Sequence, residues 1–249
     1  MRYIHFGAGG GLYVYYVGMA QAIYETVDHD VLRQCKIGGT SAGMCAAMAL
    51  FYSLYHEEMT PALFFEKYVK GELVRRGRSS HTGFYLRGSK IAYDTACLVY
   101  ERLYCSLPSE VKARLYCIVS DLPTFRPSRM ESFETMDDYA TFVSTTMSIP
   151  FLVNSRGWNF IHGRRIIDGY MSTNRHYVSD DPTDQILYFN VETKKMNDPR
   201  YKCVNVMVWL QYNLNFLLAP TNVNHDSLYE KGIRQTLAYQ LEWKRFFHD

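Results

Sequence analysis

Several functional classes lack any support in this sequence. The 27 basic and 25 acidic residues leave a net charge of +2, so no excess of positive charge favours a nucleic-acid partner. There is no H-E-x-x-H pattern or comparable spacing of metal ligands, and the six cysteines include no C-x-x-C pair. The sequence therefore predicts no nucleic-acid, metal or dithiol site, and its isolated cysteines indicate thiols in a reducing compartment.

Targeting signals are missing as well. The N-terminus leads directly into a strand and a glycine loop, without a charged segment, an apolar stretch and a cleavage site, so we expect a cytoplasmic protein. The segment 203–224 has no charged residue, but polar residues and Pro220 interrupt it, whereas a membrane-spanning helix needs about 20 predominantly apolar residues. We expect a buried strand and turn there. The alternative is an aromatic surface that rests on lipid, as in a peripheral membrane protein.

The composition is that of an α/β domain. With 249 residues, 47% of them hydrophobic, the chain can bury a full core, and we expect a single domain over 1–249. Strands predicted at 3–6 and 36–38 are each followed by a glycine-containing loop and a helix, at 13–24 and 44–55. This alternation predicts a mostly parallel sheet covered on both faces. Further helices are predicted at 60–69, 90–104, 137–147 and 226–247, a loop at 75–88, and strands at 115–120 and 185–191.

A G-x-S-x-G pentapeptide, Gly39-Thr40-Ser41-Ala42-Gly43, lies between the second predicted strand and its helix. In a nucleophile elbow, glycines remove Cβ atoms that would clash in the sharp turn, and the serine hydroxyl is left exposed above the sheet. The bare pattern arises by chance in roughly one chain in twelve of this length, and a glycine-rich connection with a capping serine is the simpler interpretation. The elbow interpretation therefore depends on finding a base and oxyanion donors.

The glycine run Gly9-Gly10-Gly11 follows the first strand, next to where a parallel neighbour would deliver Ser41. Consecutive glycines can direct backbone N–H groups at an anion, and the positive end of the following helix adds to this effect. A dinucleotide-binding fingerprint is the competing interpretation. It needs a third glycine where the chain has Leu12, and an acidic residue near the end of the second strand. We therefore predict an oxyanion hole at Gly9, Gly10 and Gly11.

The candidate base is Asp168, in an Asp168-Gly169 dipeptide that follows an apolar pair. Asp-Gly is a common turn dipeptide, so its significance comes from its position after the glycine loop and the serine elbow. In this order, the three motifs resemble the patatin-like phospholipase family. The resemblance extends roughly over residues 3–174, and its first motif is most similar to the animal triglyceride-lipase branch of that family.

The resemblance implies a three-layer α/β/α sandwich in which Ser41 is the nucleophile and Asp168 the general base, with no cofactor. An aspartate at its ordinary pKa of about 3.9 is a weak base toward an alcohol, so we expect burial to raise the pKa. The implied substrates are acyl esters of glycerophospholipids or neutral glycerolipids, with transient contact with a membrane surface. The chain departs from the family pattern at Tyr13, Val14 and Tyr170, close to the glycine loop and the Asp-Gly turn.

Two alternatives stay open at this point. An α/β-hydrolase triad would use a histidine that follows Asp168 in the chain, as His176, His225 and His248 do. A catalytically silent lipid-binding or regulatory protein would keep the fold without turnover, and the altered residues near the motifs motivate that interpretation. The sequence makes no prediction of the oligomeric state.

Overall fold

The computed structural model describes residues 1–80, 84–174, 176–191, 196–205 and 224–248. The strands are β1 (Arg2–Phe6), β2 (Lys36–Gly39), β3 (Leu115–Leu122), β4 (Arg126–Glu131), β5 (Asn159–Ile161), β6 (Arg164–Asp168), β7 (Gln185–Asn190) and β8 (Tyr201–Asn205). They form one eight-stranded sheet with the order β5-β6-β3-β2-β1-β7-β8, and β4 pairs with β3. The buried strand and turn predicted at 203–224 overlap β8 at their start, and residues 206–223 lie outside the described part of the chain.

The centre of the sheet is parallel and one margin is antiparallel. Strand β1 pairs in parallel with β2 and β7, and parallel pairing continues from β2 to β3 and from β7 to β8. The pairs β3–β4, β3–β6 and β5–β6 are antiparallel. The predicted α/β class with a mostly parallel sheet is confirmed.

Among the described elements, helices follow β1, β2 and β4. The helices are α1 (Tyr13–Thr26), α2 (His29–Gln34), α3 (Gly43–Tyr55), α4 (Pro61–Phe64), α5 (Arg75–Ser79), α6 (Gly88–Val99), α7 (Ser109–Lys112), α8 (Met136–Thr146), α9 (His225–Ala238) and α10 (Gln240–His248). A π-helical segment, Phe65–Val74, joins α4 to α5, and another, Tyr100–Tyr104, extends α6.

Two of the predicted boundaries are wrong for physical reasons. The start of the predicted loop at 75–88 is helical, because Arg75 and Arg76 form ion pairs with Glu72 one turn earlier, and such pairs stabilise helices. The predicted final helix is divided into α9 and α10 at Tyr239, and Trp243 of α10 donates a hydrogen bond back to the Thr236 carbonyl.

Helix α1 packs closely against α9 through glycines on both helices. A Cβ atom at Gly18 would lie 2.1 Å from the Tyr229 carbonyl oxygen, and one at Gly232 would lie 2.2 Å from that of Tyr15. Helix α3 is buried from Gly43 to Leu54, in keeping with its apolar sequence. The two helices that follow β1 and β2 are therefore fixed in the core, and the loops at their N-termini are fixed with them.

The two faces of the sheet differ in what they bury. One face carries the larger core, which includes residues of α1, α3, α6, α8 and α9. The other face carries a smaller, tyrosine-rich cluster that consists of Tyr3, Tyr116, Ile118, Val178, Ile186 and Tyr188. The six cysteines are all unpaired. Within the described part of the chain, no helix combines the length and the apolar character that crossing a membrane requires.

Candidate active site

Ser41 occupies a strained turn between β2 and α3. Its φ of +54° places a non-glycine residue in the left-handed region, which is unfavourable and occurs at tight functional turns. The flanking glycines make this turn possible, because the backbone packs too closely there to leave room for a Cβ atom. A Cβ atom at Gly39 would lie 2.5 Å from the carbonyl carbon of Gly43, and one at Gly43 would lie 2.1 Å from the Phe6 carbonyl oxygen. The pentapeptide is thus a sharp elbow packed against the end of β1.

A threonine from α8 holds the elbow in place. The Ser41 N–H donates to Thr146 Oγ1 at 3.1 Å, and the Thr146 hydroxyl donates to the Ile118 carbonyl at 2.5 Å. Because the Ser41 N–H is already used, it is not available to an oxyanion. Any backbone donors for an oxyanion must therefore come from other residues, such as those of the glycine loop.

The glycine loop lies next to the elbow, because β1 and β2 are parallel neighbours that end in register at Phe6 and Gly39. The Thr40 N–H donates to the Phe6 carbonyl at 2.9 Å. Of the predicted oxyanion residues, Gly10 has a φ of +55° and lines the same cavity as Ser41.

The other two glycines of the run are packed into the protein. A Cβ atom at Gly9 would lie 2.4 Å from the ring of Tyr16, and Gly11 is buried in the 3₁₀ turn that precedes α1. The structure therefore places Gly10 at the cavity, whereas Gly9 allows the approach of α1.

Asp168 is the last residue of β6 and is completely buried. Its Oδ1 accepts a hydrogen bond from the Tyr170 N–H at 2.8 Å, which begins a 3₁₀ turn. The Ser120 hydroxyl donates to the Asp168 carbonyl at 3.0 Å. A Cβ atom at Gly169 would lie 2.3 Å from the Ile118 carbonyl oxygen. The Asp-Gly pair thus allows the chain to turn directly against β3.

The sheet explains why Ser41 and Asp168 meet. Strand β4 pairs with β3 over residues 116–121, so it occupies one edge of β3. The other edge must then hold β2 opposite residues 115–117 and β6 opposite residues 119–122. Since β2 runs parallel and β6 antiparallel to β3, their carboxyl ends approach each other beside Ile118. The serine follows one of these ends, and the aspartate forms the other.

The carboxyl of Asp168 has an altered acidity. Complete burial raises its pKa to about 7, and hydrogen bonds from the Tyr170 N–H and the Ser41 hydroxyl act in the opposite direction. The hydroxyl is therefore adjacent to the carboxyl. Oδ2 has no hydrogen-bond partner among the described residues, so the contact between the carboxyl and the Ser41 hydroxyl is longer or less well aligned than an ideal hydrogen bond.

A narrow cavity of about 40 Å³ begins at Ser41. Its other walls are mainly apolar and consist of Gly10, Tyr13, Ala42, Leu73, Phe84, Gly88, Ala92, Met147, Ile149 and Val153. A second cavity of about 20 Å³ shares Leu73, Ala92 and Met147 with it and continues toward Phe64 and Val99. An apolar path thus leads from the serine into the helical layer.

No described histidine interacts with Asp168. His225 Nδ1 lies 3.1 Å from Arg78 Nη2, and His176 Nδ1 lies 3.4 Å from the Tyr188 hydroxyl. The side chain of His248 lies outside the described part of the protein. Among the residues that the structure describes, there is also no cluster of three histidine, cysteine or acidic side chains that could hold a metal.

Sequence analysis missed the second set of contacts around the elbow. His5 is completely buried; its Nε2 lies 3.0 Å from Thr40 Oγ1 and its Nδ1 lies 3.1 Å from the Tyr116 hydroxyl. Burial lowers the pKa of His5 to about 3, so this imidazole stays neutral near pH 7. A histidine in an apolar strand directly before a glycine run was the available signal. Nothing in the local sequence distinguished Thr146.

Comparisons with known proteins concern the fold. No protein-family model and no curated protein sequence matches the chain. Among solved structures, VipD from Legionella pneumophila is similar, with a TM-score of 0.53 and 13% sequence identity over 98% of this chain and 67% of VipD. At this identity the likeness shows the fold alone. The chain thus has a mixed α/β fold with a patatin-like structural neighbour.

Proposed function

We propose that the chain is a serine acyl hydrolase that cleaves fatty-acyl esters of glycerolipids with Ser41 and Asp168. The observation that carries this proposal is the meeting of β2 and β6 beside Ile118, which brings a strained serine next to a buried carboxyl whose pKa is about 7. A general base is most effective when its pKa lies near the working pH. The fold likeness agrees with the proposal but does not assign an activity.

The mechanism follows from these positions. The Asp168 carboxylate accepts the proton of the Ser41 hydroxyl as Oγ attacks the ester carbonyl carbon, and the glycine loop around Gly10 and the N-terminus of α3 stabilise the oxyanion. Collapse of this intermediate expels the alcohol, which takes the proton, and leaves an acyl-serine. Water then attacks the acyl-serine with Asp168 as base, and the fatty acid is released.

The apolar path from Ser41 suits an acyl chain. A volume of about 40 Å³ has room for only a few water molecules, since a cavity needs roughly 10–15 Å³ to hold one. An acyl chain must therefore displace the side chains that separate the two cavities, Leu73 and Met147. Because the path is apolar, we expect it to accept the hydrocarbon and to leave the polar head group outside.

Covalent labelling tests the nucleophile. A fluorophosphonate probe should label the wild type and the matched control Ser109→Ala, which alters an exposed serine, but it should not label Ser41→Ala. Equal labelling of wild type and Ser41→Ala would contradict the proposal. Fatty-acid release from a panel of phospholipids, lysophospholipids and triacylglycerols then identifies the preferred substrate.

Measurements of ester hydrolysis test whether Asp168 is the base. They also distinguish the Ser41–Asp168 dyad from a triad with histidine and from a catalytically silent protein. Asp168→Asn should reduce ester hydrolysis by about 10³-fold or more, whereas His176→Ala, His225→Ala and His248→Ala should retain it. Loss of hydrolysis in one folded histidine variant would favour a triad. Lipid binding by the wild type without release of any fatty acid would favour a catalytically silent binding protein.

A further inference from the structure

Two chain segments that line the cavity holding Ser41 have residues that alternate between the cavity and the solvent, so the cavity reaches the surface between them. The Leu86 N–H donates to the Leu152 carbonyl at 2.8 Å, which joins the two segments to each other. Leu86 and Phe151 are exposed between the residues that line the cavity. Those lining residues are Phe84 and Gly88, the first residue of α6, on one side and Ile149 and Val153 on the other.

Large apolar side chains continue outward from this opening. Phe151 and Phe160 are each 67% exposed, and Trp158 is 41% exposed. The Phe151 ring lies over Gly157, where a Cβ atom would be 2.7 Å away, and Gly157 precedes Trp158. Trp158 directly precedes the edge strand β5, and Phe160 lies within that strand, two residues further along the chain. We call the group formed by Leu86, Phe151, Trp158 and Phe160 the mouth surface.

Folding does not explain this exposure. Leu86 and Phe151 have φ angles of +58° and +60°, a conformation that costs a bulky residue stability. An exposed side chain recovers little of that cost by burial. The protein therefore keeps two apolar side chains in the solvent, beside the cavity, in an unfavourable backbone conformation.

The two chain segments that carry the mouth surface contain basic residues and no acidic ones. The segments 79–93 and 139–167 contain no aspartate or glutamate. Arg87, Arg156 and Arg165 are exposed, and within the described residues none of them forms an ion pair. The Arg165 guanidinium lies over the Trp158 ring, 5.5 Å from its centre. This arrangement complements an anionic surface with an apolar layer beneath it.

We propose that the mouth surface docks the protein on membranes that carry anionic lipids. Aromatic side chains occupy the interface between head groups and hydrocarbon, and nearby arginines interact with anionic head groups. The choice of a bilayer over a protein partner rests on the proposed function, because an ester in a membrane must reach Ser41 through this opening. Docking here would place the cavity directly over the lipid.

Vesicle sedimentation tests the proposal without catalysis if the Ser41→Ala protein is used. Vesicles of phosphatidylcholine with 30% phosphatidylserine should bind this protein, and pure phosphatidylcholine vesicles should bind it much more weakly. Adding Phe151→Ala and Trp158→Ala should weaken binding about 100-fold, since each buried aromatic side chain accounts for at least about tenfold. Adding Arg87→Glu and Arg156→Glu instead should also weaken binding and remove its salt dependence.

The matched control is Leu241→Ala, which removes an apolar side chain that is 83% exposed on α10, at the sheet edge opposite β5. It should bind like its parent, and unchanged thermal unfolding should show that every variant folds. Absent vesicle binding, or binding that the mouth-surface variants leave intact, would overturn the proposal. So would a dimer in size exclusion that those variants dissociate, which would identify a second copy as the partner.

The two proposals fail separately. If the wild type hydrolyses a soluble short-chain ester but binds no vesicle, docking is wrong and the proposed function stands. If vesicles bind through the mouth surface but no ester is hydrolysed, the proposed function is wrong and the surface remains a lipid-binding site.

Discussion

The two halves of the candidate site, Ser41 with its elbow and Asp168 with its turn, differ in what determines their properties. Ser41 is positioned by the backbone, because glycines on both sides allow contacts that no side chain could tolerate. Asp168 also precedes a closely packed glycine, Gly169, but it lies at the end of a strand with ordinary backbone, and complete burial of its side chain alters its acidity. Changes near Ser41 should therefore disrupt geometry and folding, whereas changes at Asp168 should act through protonation.

The largest expected effect is in the serine half, at Gly43. Gly43→Ala would place a Cβ atom 2.1 Å from the Phe6 carbonyl oxygen, and a backbone atom in a sheet cannot move aside. We expect a loss of more than about 4 kcal/mol in the free energy of unfolding, which is typical of severe steric conflict. Urea denaturation measures this effect.

Gly163→Ala is the control for Gly43→Ala. Substitution of Gly163 is also unfavourable, because its φ is +75°. Unlike at Gly43, however, a Cβ atom at Gly163 would have no other atom within 4 Å. Its replacement should cost only about 1 kcal/mol for the strained backbone. Similar losses in both variants would show that close packing does not define the elbow.

The next largest effect is on the free energy of unfolding in the aspartate half, and it depends on pH. The folded state keeps the Asp168 proton up to a pKa of about 7, whereas the unfolded state releases it near 3.9. Rising pH between these values therefore destabilises the folded wild type, by up to about 4 kcal/mol. Asp168→Asn lacks this dependence, so its stability relative to the wild type should rise from pH 4 to pH 7 and then level off. Denaturation of both proteins across this range measures the difference.

The same deprotonation should activate the enzyme. Below pH 7, kcat/KM should fall about tenfold per pH unit, because the base becomes protonated. Activity should therefore rise over the same range in which wild-type stability declines. A flat profile between pH 5 and pH 7 would mean that Asp168 is not the base.

Thr146 joins the two halves, and its replacement should have an intermediate effect. Thr146→Val removes the acceptor for the Ser41 N–H and the donor to the Ile118 carbonyl. Leaving these buried groups unpaired should cost about 1–3 kcal/mol of stability and reduce turnover. Thr146→Ser keeps the hydroxyl and should restore most of both, as measured by thermal unfolding and ester hydrolysis. Unchanged stability and turnover in Thr146→Val would show that the hydroxyl does not hold the elbow, whereas a loss that serine fails to restore would show that the methyl group is needed as well.

The smallest stability effect is expected at Tyr13, in the wall of the cavity. Its buried hydroxyl has no hydrogen-bond partner among the described residues, so Tyr13→Phe should change the free energy of unfolding little or increase it slightly. A clear loss of stability would reveal a partner. If kcat falls while stability is unchanged, the Tyr13 hydroxyl acts on the substrate.

Local patterns were enough to predict the elements around Ser41. The strand, glycine loop and helix near Gly9–Gly11, and the second strand with its elbow, depend on short-range periodicity and turn chemistry, and the structure has them at nearly the predicted positions. The strands β5 and β6 were not predicted, because these short strands depend on pairing, of β6 with β3 and of β5 with β6, rather than on a sequence pattern of their own.

The sequence by itself determined the α/β alternation, the strained serine turn and an Asp-Gly turn, since glycine spacing and apolar periodicity act within a few residues. Only the tertiary structure decided that β2 and β6 share one edge of β3, that Thr146 and His5 brace the elbow, and that Asp168 is buried enough to shift its pKa. Each of these depends on contacts between residues far apart in the chain. Burial and strand pairing are properties of the folded whole, so no local pattern could have specified them.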